Sequence, residues 1–289
     1  MTESTPHSAT PYSGLHPDVI LGAVESLGFI CSGGLTALNS YENRVYQIGI
    51  EDAPTLVAKF YRPERWANEA ILEEHEFATE LMNLEIPVIA PLNVQGKTLH
   101  EYQGFRFALF PRKGGRALEV DNLEQLEQVG RFIGRIHAVG STRAFQHRIS
   151  INTETYGRQP YQFLLANDFI PQELQHNFRS VTEDILQVID EKLTHASDIP
   201  VLRLHGDCHA GNILWNDGTL HIVDLDDCLT GPAVQDIWML LSGSEQDTKM
   251  QLQYILSGYE EFYDFNVREL HLVEALRTLR MIHYSGWLA

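Results

Sequence analysis

The chain changes from strand-type to helix-type sequence at residues 111–116, PRKGGR, and this change limits the possible folds most strongly. Before it, short segments rich in β-branched and aromatic residues lie between turn signals. The segments predicted as strands are 44–50, 55–61, 88–94, 98–102 and 105–110. One helix is predicted to start at Pro17 and stop at Gly28, and another is predicted at 67–84. After it, the segments predicted as helices are 122–140, 171–193 and the region after Pro232. This order predicts an α+β chain in which a small, mostly antiparallel sheet lobe is followed by a mostly helical lobe.

The predicted organisation has three parts: a disordered tail at residues 1–14, an N-terminal lobe at 15–111 and a C-terminal lobe at 112–289. The tail is predicted from its Ser, Thr and Pro content. The last residues, 287–289, lie inside an apparent helix without a stop signal. We therefore expect the C-terminal lobe to be either naturally short or truncated.

The formal net charge of −18 makes nucleic acid and anionic membrane unfavourable as main partners, because their phosphate groups would be repelled. The basic residues that could still form a local patch are Arg62, Arg65, Arg112, Lys113 and Arg116. Three widely spaced cysteines do not form a disulfide framework and suit a reducing compartment. The chain shows neither an apolar run of membrane-spanning length nor the apolar segment of a signal peptide. We expect a cytoplasmic protein.

Acidic and amide side chains are concentrated in residues 201–227, VLRLHGDCHAGNILWNDGTLHIVDLDD. The turn signal NDG separates two short apolar runs and predicts a hairpin. Asn212 precedes the first strand of this hairpin and Asp224 ends the second, so the two side chains are expected to lie close together. Amide and carboxylate oxygens are ligands that Mg²⁺ prefers. Asp207, at the head of the same loop, can accept a proton from a hydroxyl group or orient it.

Two other interpretations of this stretch are open. The acids could be ordinary loop residues, or His205 and His209 could be zinc ligands four residues apart on a helix. Gly206 and Gly211 disfavour a helix here, and no Glu follows the first His, so zinc is the weaker interpretation. We expect His205 to hold the loop by hydrogen bonds, and His209 to do the same or to reach a substrate.

The pattern His205-Gly206-Asp207, then Asn212, then Asp224 resembles the signature of the aminoglycoside phosphotransferase and choline kinase superfamily. Longer stretches resemble the stress response kinase A family, which comprises bacterial cytoplasmic serine/threonine protein kinases with a small-molecule-kinase fold. These stretches are LNSYENRVYQ, KFYRPERW, ILEEHEF, LRLHGDCHAGNILW and GPAVQDIWMLL. The resemblance extends from about His16 to the end of the chain. It implies a bilobal protein-kinase-like fold.

The resemblance also implies roles for individual residues. Asp207 would be the catalytic base, and Asn212 and Asp224 would hold Mg²⁺. The residues that the resemblance implies for nucleotide binding are Ser40, Lys59 and Glu74. Lys59 would contact the phosphates of ATP and pair with a glutamate of the helix. Glu74 is the candidate for this glutamate, and Glu73 is the alternative, because spacing alone does not choose between them. Phe110 is a further candidate for nucleotide binding, from its position alone: with Leu109 it lies just before the lobe boundary, where an adenine would meet backbone and apolar side chains.

Several residues depart from the related pattern or have an open role. The segment NSYENR, residues 39–44, stands where a glycine-rich phosphate loop would be expected, and Leu225 stands in place of the D-F-G phenylalanine. Asp226 either contacts the metal or shapes its loop. Asp236 is expected to hydrogen-bond the HGD loop and to be structural. Cys208 and Cys228 either pack the loops or allow oxidation to perturb the metal site.

Three functions follow as hypotheses. The first is a serine/threonine protein kinase that uses Mg²⁺ and ATP, acts on protein hydroxyls, phosphorylates itself and is monomeric. The second is a small-molecule kinase for a homoserine, choline or aminoglycoside type of substrate, because a fold does not decide the substrate. The third is a nucleotide-binding scaffold without phosphoryl transfer. The presence of Lys59, Asp207, Asn212 and Asp224 together disfavours the third.

Overall fold

The computed structural model describes residues 11–216 and 218–289 of the chain. It divides into two compact units, the first ending at Gly115 and the second beginning at Arg116, within the boundary segment predicted from the sequence. Residues 112–115 therefore belong to the first unit rather than to the second, and Arg112 Nε donates a hydrogen bond to Gln47 there. Among the described residues, no helix combines the length and apolar character needed to cross a membrane.

The first unit is an antiparallel sheet with two helices, as predicted, and the sheet has five strands. Its elements are α1 (Pro17–Glu25), β1 (Cys31–Leu38), β2 (Arg44–Ile50), β3 (Ala53–Phe60), α2 (Asn68–Asn83), β4 (His100–Tyr102) and β5 (Phe105–Pro111). The strand order is β1-β2-β3-β5-β4. Strand β3 therefore lies at the centre of the sheet, between β2 and β5.

Successive side chains of β3 point to opposite faces of this sheet, which gives the first unit two apolar clusters. One cluster joins Ala58 and Phe60 to Ile20 of α1. The other contains Ile71 of α2 and Ala108 of β5. Lys59 pairs in register with Ala108 and lies on the face that carries this second cluster. The central strand thus carries a lysine on the face that packs against α2.

Residues 11–14 were predicted to belong to the disordered tail, and this prediction is wrong. They form a turn, and the Tyr12 hydroxyl donates a hydrogen bond to the carbonyl oxygen of Glu42 over 2.8 Å. Arg44 lies over the Tyr12 ring, with 4.8 Å between the guanidinium carbon and the ring centroid. The rest of the predicted tail, residues 1–10, lies outside the described residues.

Two predictions of strands in the first unit also need correction. Residues 88–94 form no strand, because Pro87 and Pro91 lack the N–H that a sheet ladder requires. Leu92 N donates a hydrogen bond to Leu109 O of β5, and Val94 forms an isolated antiparallel bridge with Lys97. Strand β1 was not predicted, since its sequence CSGGLTAL combines two glycines with small polar residues.

The second unit is mostly helical, as predicted. Its helices are α3 (Leu123–Gly140), α4 (Gln159–Ala166), α5 (Gln172–His195), α6 (Val234–Trp238), α7 (Glu245–Tyr259) and α8 (Val273–Leu288), with a π-helical turn at Glu154–Arg158 before α4. Its short strands are β6 (Arg116–Ala117), β7 (Leu202–Leu204), β8 (Ile213–Asn216), β9 (Thr219–Ile222) and β10 (Leu229–Gly231). Strand β7 pairs with β10, and β8 pairs with β6 and β9. These two small sheets present the acidic stretch of residues 201–227.

Candidate functional site

The hairpin of β8 and β9 sets the backbone of Asn212 close to that of Asp224. Ile213 pairs with Ile222, and Val223 N donates a hydrogen bond to Asn212 O over 3.0 Å. Asn212 therefore lies across from the residue that directly precedes Asp224. The predicted turn includes Asp217, which lies outside the described residues, and Gly218, which has a φ of +80°.

Asp207 is held by its neighbours at both the backbone and the side chain. Asn212 Nδ2 donates to the Asp207 carbonyl oxygen over 3.0 Å, and Asp207 N donates to His205 Nδ1 over 3.3 Å. On the side chain, Arg280 Nη2 of α8 donates to Oδ1 over 2.5 Å. Oδ2 lies 3.5 Å from His209 Nε2. The Asp207 side chain is 20% exposed, so its carboxylate remains accessible to a substrate group.

A left-handed backbone conformation at Asp224 turns the chain out of β9. Its φ of 64° and ψ of 67° lie in the region that Asp and Asn tolerate better than most residues. The next three residues form a 3₁₀ turn, Leu225–Asp227. Arg148 fixes this turn, because its guanidinium donates to the carbonyl oxygens of Asp226 and Cys228. The Asp226 backbone thus helps to shape the loop, and a metal contact by its carboxylate stays a prediction.

Asp236 of α6 anchors the loop that carries Asp207. Its carboxylate accepts hydrogen bonds from His205 N and Gly206 N, each over 2.8 Å, which confirms the structural role predicted for it. His137 Nε2 lies 3.1 Å from the same carboxylate. Burial opposes ionisation of Asp236, but the hydrogen bond and charge of His137 and the Gly206 N–H hold its pKa below the usual range.

The buried connection continues from Asp236 into α7. His137 Nδ1 lies 2.8 Å from the Tyr259 hydroxyl, and burial raises the pKa of that hydroxyl. Sequence reasoning did not identify His137 as part of this support, because it lies in the last turn of a helix with no local signal. The HGD loop is therefore connected to α3, α6 and α7 through polar groups that are fully buried.

In the first unit, the predicted lysine and glutamate form an ion pair. Lys59 Nζ lies 4.0 Å from Glu74 Oε1, and the two side chains are 9% and 4% exposed. This pairing favours Glu74 over the alternative Glu73. The lysine also lies among aromatic rings, with Nζ 5.1 Å from the Phe110 centroid and 6.0 Å from the Tyr61 centroid. A buried cation gains stabilisation from such faces as well as from its carboxylate.

The environment of His75, next to Glu74 on α2, adds hydrogen bonds that fix this helix to the sheet. His75 Nε2 lies 2.6 Å from the Tyr61 hydroxyl, and Nδ1 lies 2.9 Å from Thr98 Oγ1. The Phe110 side chain is buried in the same cluster as Tyr61, on the sheet face that carries Lys59. Ser40 lies in the loop after β1 and is partly exposed.

The side-chain oxygens of Asn212 and Asp224 are the kind of ligand that a hard divalent cation prefers. Asn212 uses its amide N–H on Asp207, which leaves the amide oxygen as an acceptor, and the Asp224 carboxylate supplies a second oxygen. Among residues 11–216 and 218–289, no group of three or more His, Cys, Asp or Glu could hold a metal ion. Waters and substrate phosphates would therefore have to complete the coordination, as is usual for Mg²⁺.

Zinc is excluded as the role of His205 and His209, because the two residues do not lie on a helix and the His205 ring is engaged. Its Nε2 lies 2.9 Å from Val223 O, and its Nδ1 accepts from Asp207 N. His205 thus holds the loop, as predicted. His209 Nδ1 accepts a hydrogen bond from Gly211 N.

Cys208 and Cys228 are both buried. Burial, and then the charges of Asp236 and Asp207, raise the pKa of Cys208 well above its usual value. A buried thiol with a raised pKa reacts slowly with oxidants, because the thiolate is the reactive form. These observations favour the packing role over redox control.

Comparisons with known proteins agree with this geometry. The profile of the phosphotransferase enzyme family, APH, matches residues 34–272. Stress response kinase A of Escherichia coli (strain K12) is 48% identical over 282 residues, which cover 98% of this chain and 85% of that protein. Serine/threonine protein kinase RdoA of Salmonella typhimurium is 47% identical over 281 residues, with 97% and 85% covered.

Two solved structures show the same fold at low sequence identity. An amicoumacin kinase in complex with AMP-PNP and Ca²⁺ superposes with a TM-score of 0.72 at 21% identity, covering 90% of this chain and 81% of that one. A microcompartment-associated aminopropanol kinase gives a TM-score of 0.69 at 17% identity, with 93% and 89% covered.

Proposed function

Because the chain belongs to the phosphotransferase enzyme family, we propose that it is a serine/threonine protein kinase that uses Mg²⁺ and ATP. The observation that carries this proposal is the hairpin that sets Asn212 across from the residue before Asp224, together with the hydrogen bond from Asn212 Nδ2 to the Asp207 carbonyl oxygen. A protein substrate is supported by the relatives at 47–48% identity, which are named stress response kinase A and serine/threonine protein kinase.

In the proposed reaction, Asp207 accepts the proton of a serine or threonine hydroxyl as its oxygen attacks the γ-phosphorus. The new O–P bond forms while the bond to the β–γ bridging oxygen breaks, and ADP leaves with that electron pair. Mg²⁺, when bound by Asn212 and Asp224, would neutralise charge on the phosphates. The fixed backbone around Asp207 supports its role as base, because a positioned carboxylate needs no reorganisation before reaction.

The proposed role of Lys59 is to bind the phosphates of ATP, and that of Glu74 is to hold this lysine. Their burial supports the proposal, since a buried ammonium needs a charged partner and gains from an anionic ligand. Ser40 and Phe110 are proposed to contribute to nucleotide binding from the loop after β1 and from β5. We further propose that the enzyme phosphorylates itself and acts as a monomer in the cytoplasm.

A second candidate is a kinase of small molecules. It is favoured by the solved structures of similar fold, which are kinases for amicoumacin and aminopropanol. Their identity to this chain is at most 21%, so they support the fold rather than the substrate. The two candidates share the proposed roles of Asp207, Asn212 and Asp224 and differ only in the acceptor.

The deciding experiment measures the intact mass of the chain and of a generic basic protein after incubation with Mg²⁺ and ATP. Asp207→Asn is the test variant, and Asp198→Asn is the control because Asp198 is an exposed carboxylate paired with Arg268. Added phosphate on either protein that is absent with Asp207→Asn supports a protein kinase. ATP turnover that rises only with one member of an amino-alcohol panel supports the second candidate. Normal turnover by Asp207→Asn contradicts both.

A further inference from the structure

A cationic side chain from the last helix contacts the proposed catalytic base. Arg280 of α8 donates from Nη2 to Asp207 Oδ1 over 2.5 Å, across 73 positions of sequence. The two side chains are 31% and 20% exposed. Other arginine–carboxylate pairs of the second unit, Arg277–Glu274 and Arg268–Asp198, are more than half exposed on both partners. The Arg280–Asp207 pair is thus less accessible to solvent screening than these pairs.

The position of Arg280 is set by the packing of α8. Leu276 and Leu279 of this helix are fully buried. One turn after Leu279, the His283 ring stacks on Tyr156 of the π-helical turn, with 4.1 Å between centroids and 17° between planes. A π-helical turn is often found at functional sites. These contacts hold α8 in place, so the backbone that carries the Arg280 guanidinium is fixed relative to Asp207.

The hydrogen bonds on Asp207 leave one part of the carboxylate available for an acceptor. Its backbone is held by Asn212 and His205, and its Oδ1 is held by Arg280. Oδ2 lies 3.5 Å from Nε2 of His209, whose side chain is 43% exposed. A carboxylate bound through one oxygen keeps its plane and rotamer while the other oxygen accepts a proton.

We propose that Arg280 is a positioning residue for phosphoryl transfer, which holds the Asp207 carboxylate so that Oδ2 faces the acceptor hydroxyl. This inference rests on the proposed function, in which Asp207 is the base. Arg280 acts through Asp207, so its loss is expected to slow the chemical step without weakening ATP binding. Displacing a catalytic group by about 1 Å can reduce the rate by a factor on the order of 100.

The test compares steady-state ADP release by the wild-type chain with that of Arg280→Ala, Arg280→Lys and Arg277→Ala. Arg277 is the matched control, because it lies one turn earlier on the same helix and pairs with the exposed Glu274. We expect Arg280→Ala to lower kcat by about 10- to 100-fold with an unchanged KM for ATP. Arg280→Lys should recover part of kcat, since its ammonium keeps the charge but not the planar fork.

Rescue of kcat by free guanidinium ion, at concentrations far below those that unfold the protein, distinguishes positioning of Asp207 from a purely structural role. It should raise the kcat of Arg280→Ala and leave that of Arg277→Ala unchanged. A thermal shift produced by Mg²⁺ and ADP shows whether Arg280→Ala is folded and binds nucleotide. If Arg280→Ala does not fold, the comparison of kcat between Arg280→Lys and the wild type replaces it.

Several outcomes would overturn the inference. These are a kcat of Arg280→Ala equal to or above that of the wild type, an equal fall in Arg277→Ala, and a loss that neither lysine nor guanidinium restores. Failure of the proposed function is distinguishable, because Asp207→Asn would then keep its turnover or the wild-type chain would release no ADP. An inactive Asp207→Asn beside a normal Arg280→Ala defeats this inference alone.

Discussion

Asp236 Oδ1 accepts a hydrogen bond from the backbone N–H of Gly206 over 2.8 Å, while its second oxygen accepts one from His205 N. One side chain of α6 therefore satisfies two successive backbone donors of the loop that leads into Asp207. Both donors and the carboxylate are buried, so no water replaces this contact at low cost. The position of Asp207, the proposed base, therefore depends on Asp236, which follows the β8–β9 hairpin in sequence.

Asp236→Ala is expected to lower the free energy of unfolding by about 2–5 kcal/mol, since two buried N–H groups and His137 lose their acceptor. Urea unfolding monitored by circular dichroism measures this change. Asp198→Ala is the control, because an exposed carboxylate paired with an exposed arginine contributes little to stability. A loss no larger than that of the control would show that Asp236 does not anchor the loop.

Gly206→Ala should destabilise the fold by about 3 kcal/mol or more, through left-handed backbone strain and overpacking. Gly206 has a φ of +84°, and an added Cβ would lie 2.1 Å from the carbonyl oxygen of Asp227. Gly218→Ala isolates the strain, because its φ is +80° and no atom of the described residues lies within 4 Å of an added Cβ. Its cost should be about 1–2 kcal/mol. Equal losses in denaturant unfolding would argue against the close approach of the two loops.

Glu74→Gln and Glu73→Gln test which glutamate holds Lys59. Removing the charge of Glu74 takes away the carboxylate that pairs with the buried lysine. We therefore expect kcat/KM for ATP to fall about 10-fold or more, which corresponds to a rise of at least ~1.4 kcal/mol in activation free energy. Glu73→Gln should stay near the wild-type value. Initial rates at varied ATP measure both variants. The opposite order of effects would assign the role to Glu73.

Glu269 predicts a pH dependence of stability. Burial raises its pKa to about 7, against the hydrogen bonds from the Val234 and Ala233 N–H groups that favour the charged form. Because the folded pKa lies above the unfolded value of 4.5, its contribution to stability is fully present below pH 4.5 and is lost as the pH rises through 7. Above that pH the charged form remains buried at a cost.

Glu269→Gln should remove this dependence and increase stability at pH 8 by an amount on the order of 2 kcal/mol. In the wild type, Val234 N donates a hydrogen bond to Glu269 Oε2 over 2.8 Å. The side-chain oxygen of the glutamine can still accept this hydrogen bond. Urea unfolding of both proteins between pH 4.5 and 8 measures the difference. Parallel curves for variant and wild type would contradict the raised pKa.

The parts of the site that the sequence predicted are those built by local pairing. The register of β8 and β9 follows from a turn and a few neighbouring residues, so Asn212 and Asp224 could be placed together without long-range information. The segment 88–94 was misassigned because its apolar residues outweighed Pro87 and Pro91. The strand β1 was missed because its partner β2, rather than its own glycine-containing sequence, stabilises it.

The sequence by itself determined the order of the two kinds of structure, the hairpin and the residue types that could bind a metal and accept a proton. The tertiary structure decided that Glu74 rather than Glu73 pairs with Lys59, that His137 supports Asp236, and that Arg280 binds Asp207. Turns and periodicity depend on residues a few positions apart, so they are present in the sequence pattern. Contacts such as the one from Arg280 depend on how whole helices pack, and a local pattern carries no record of that packing.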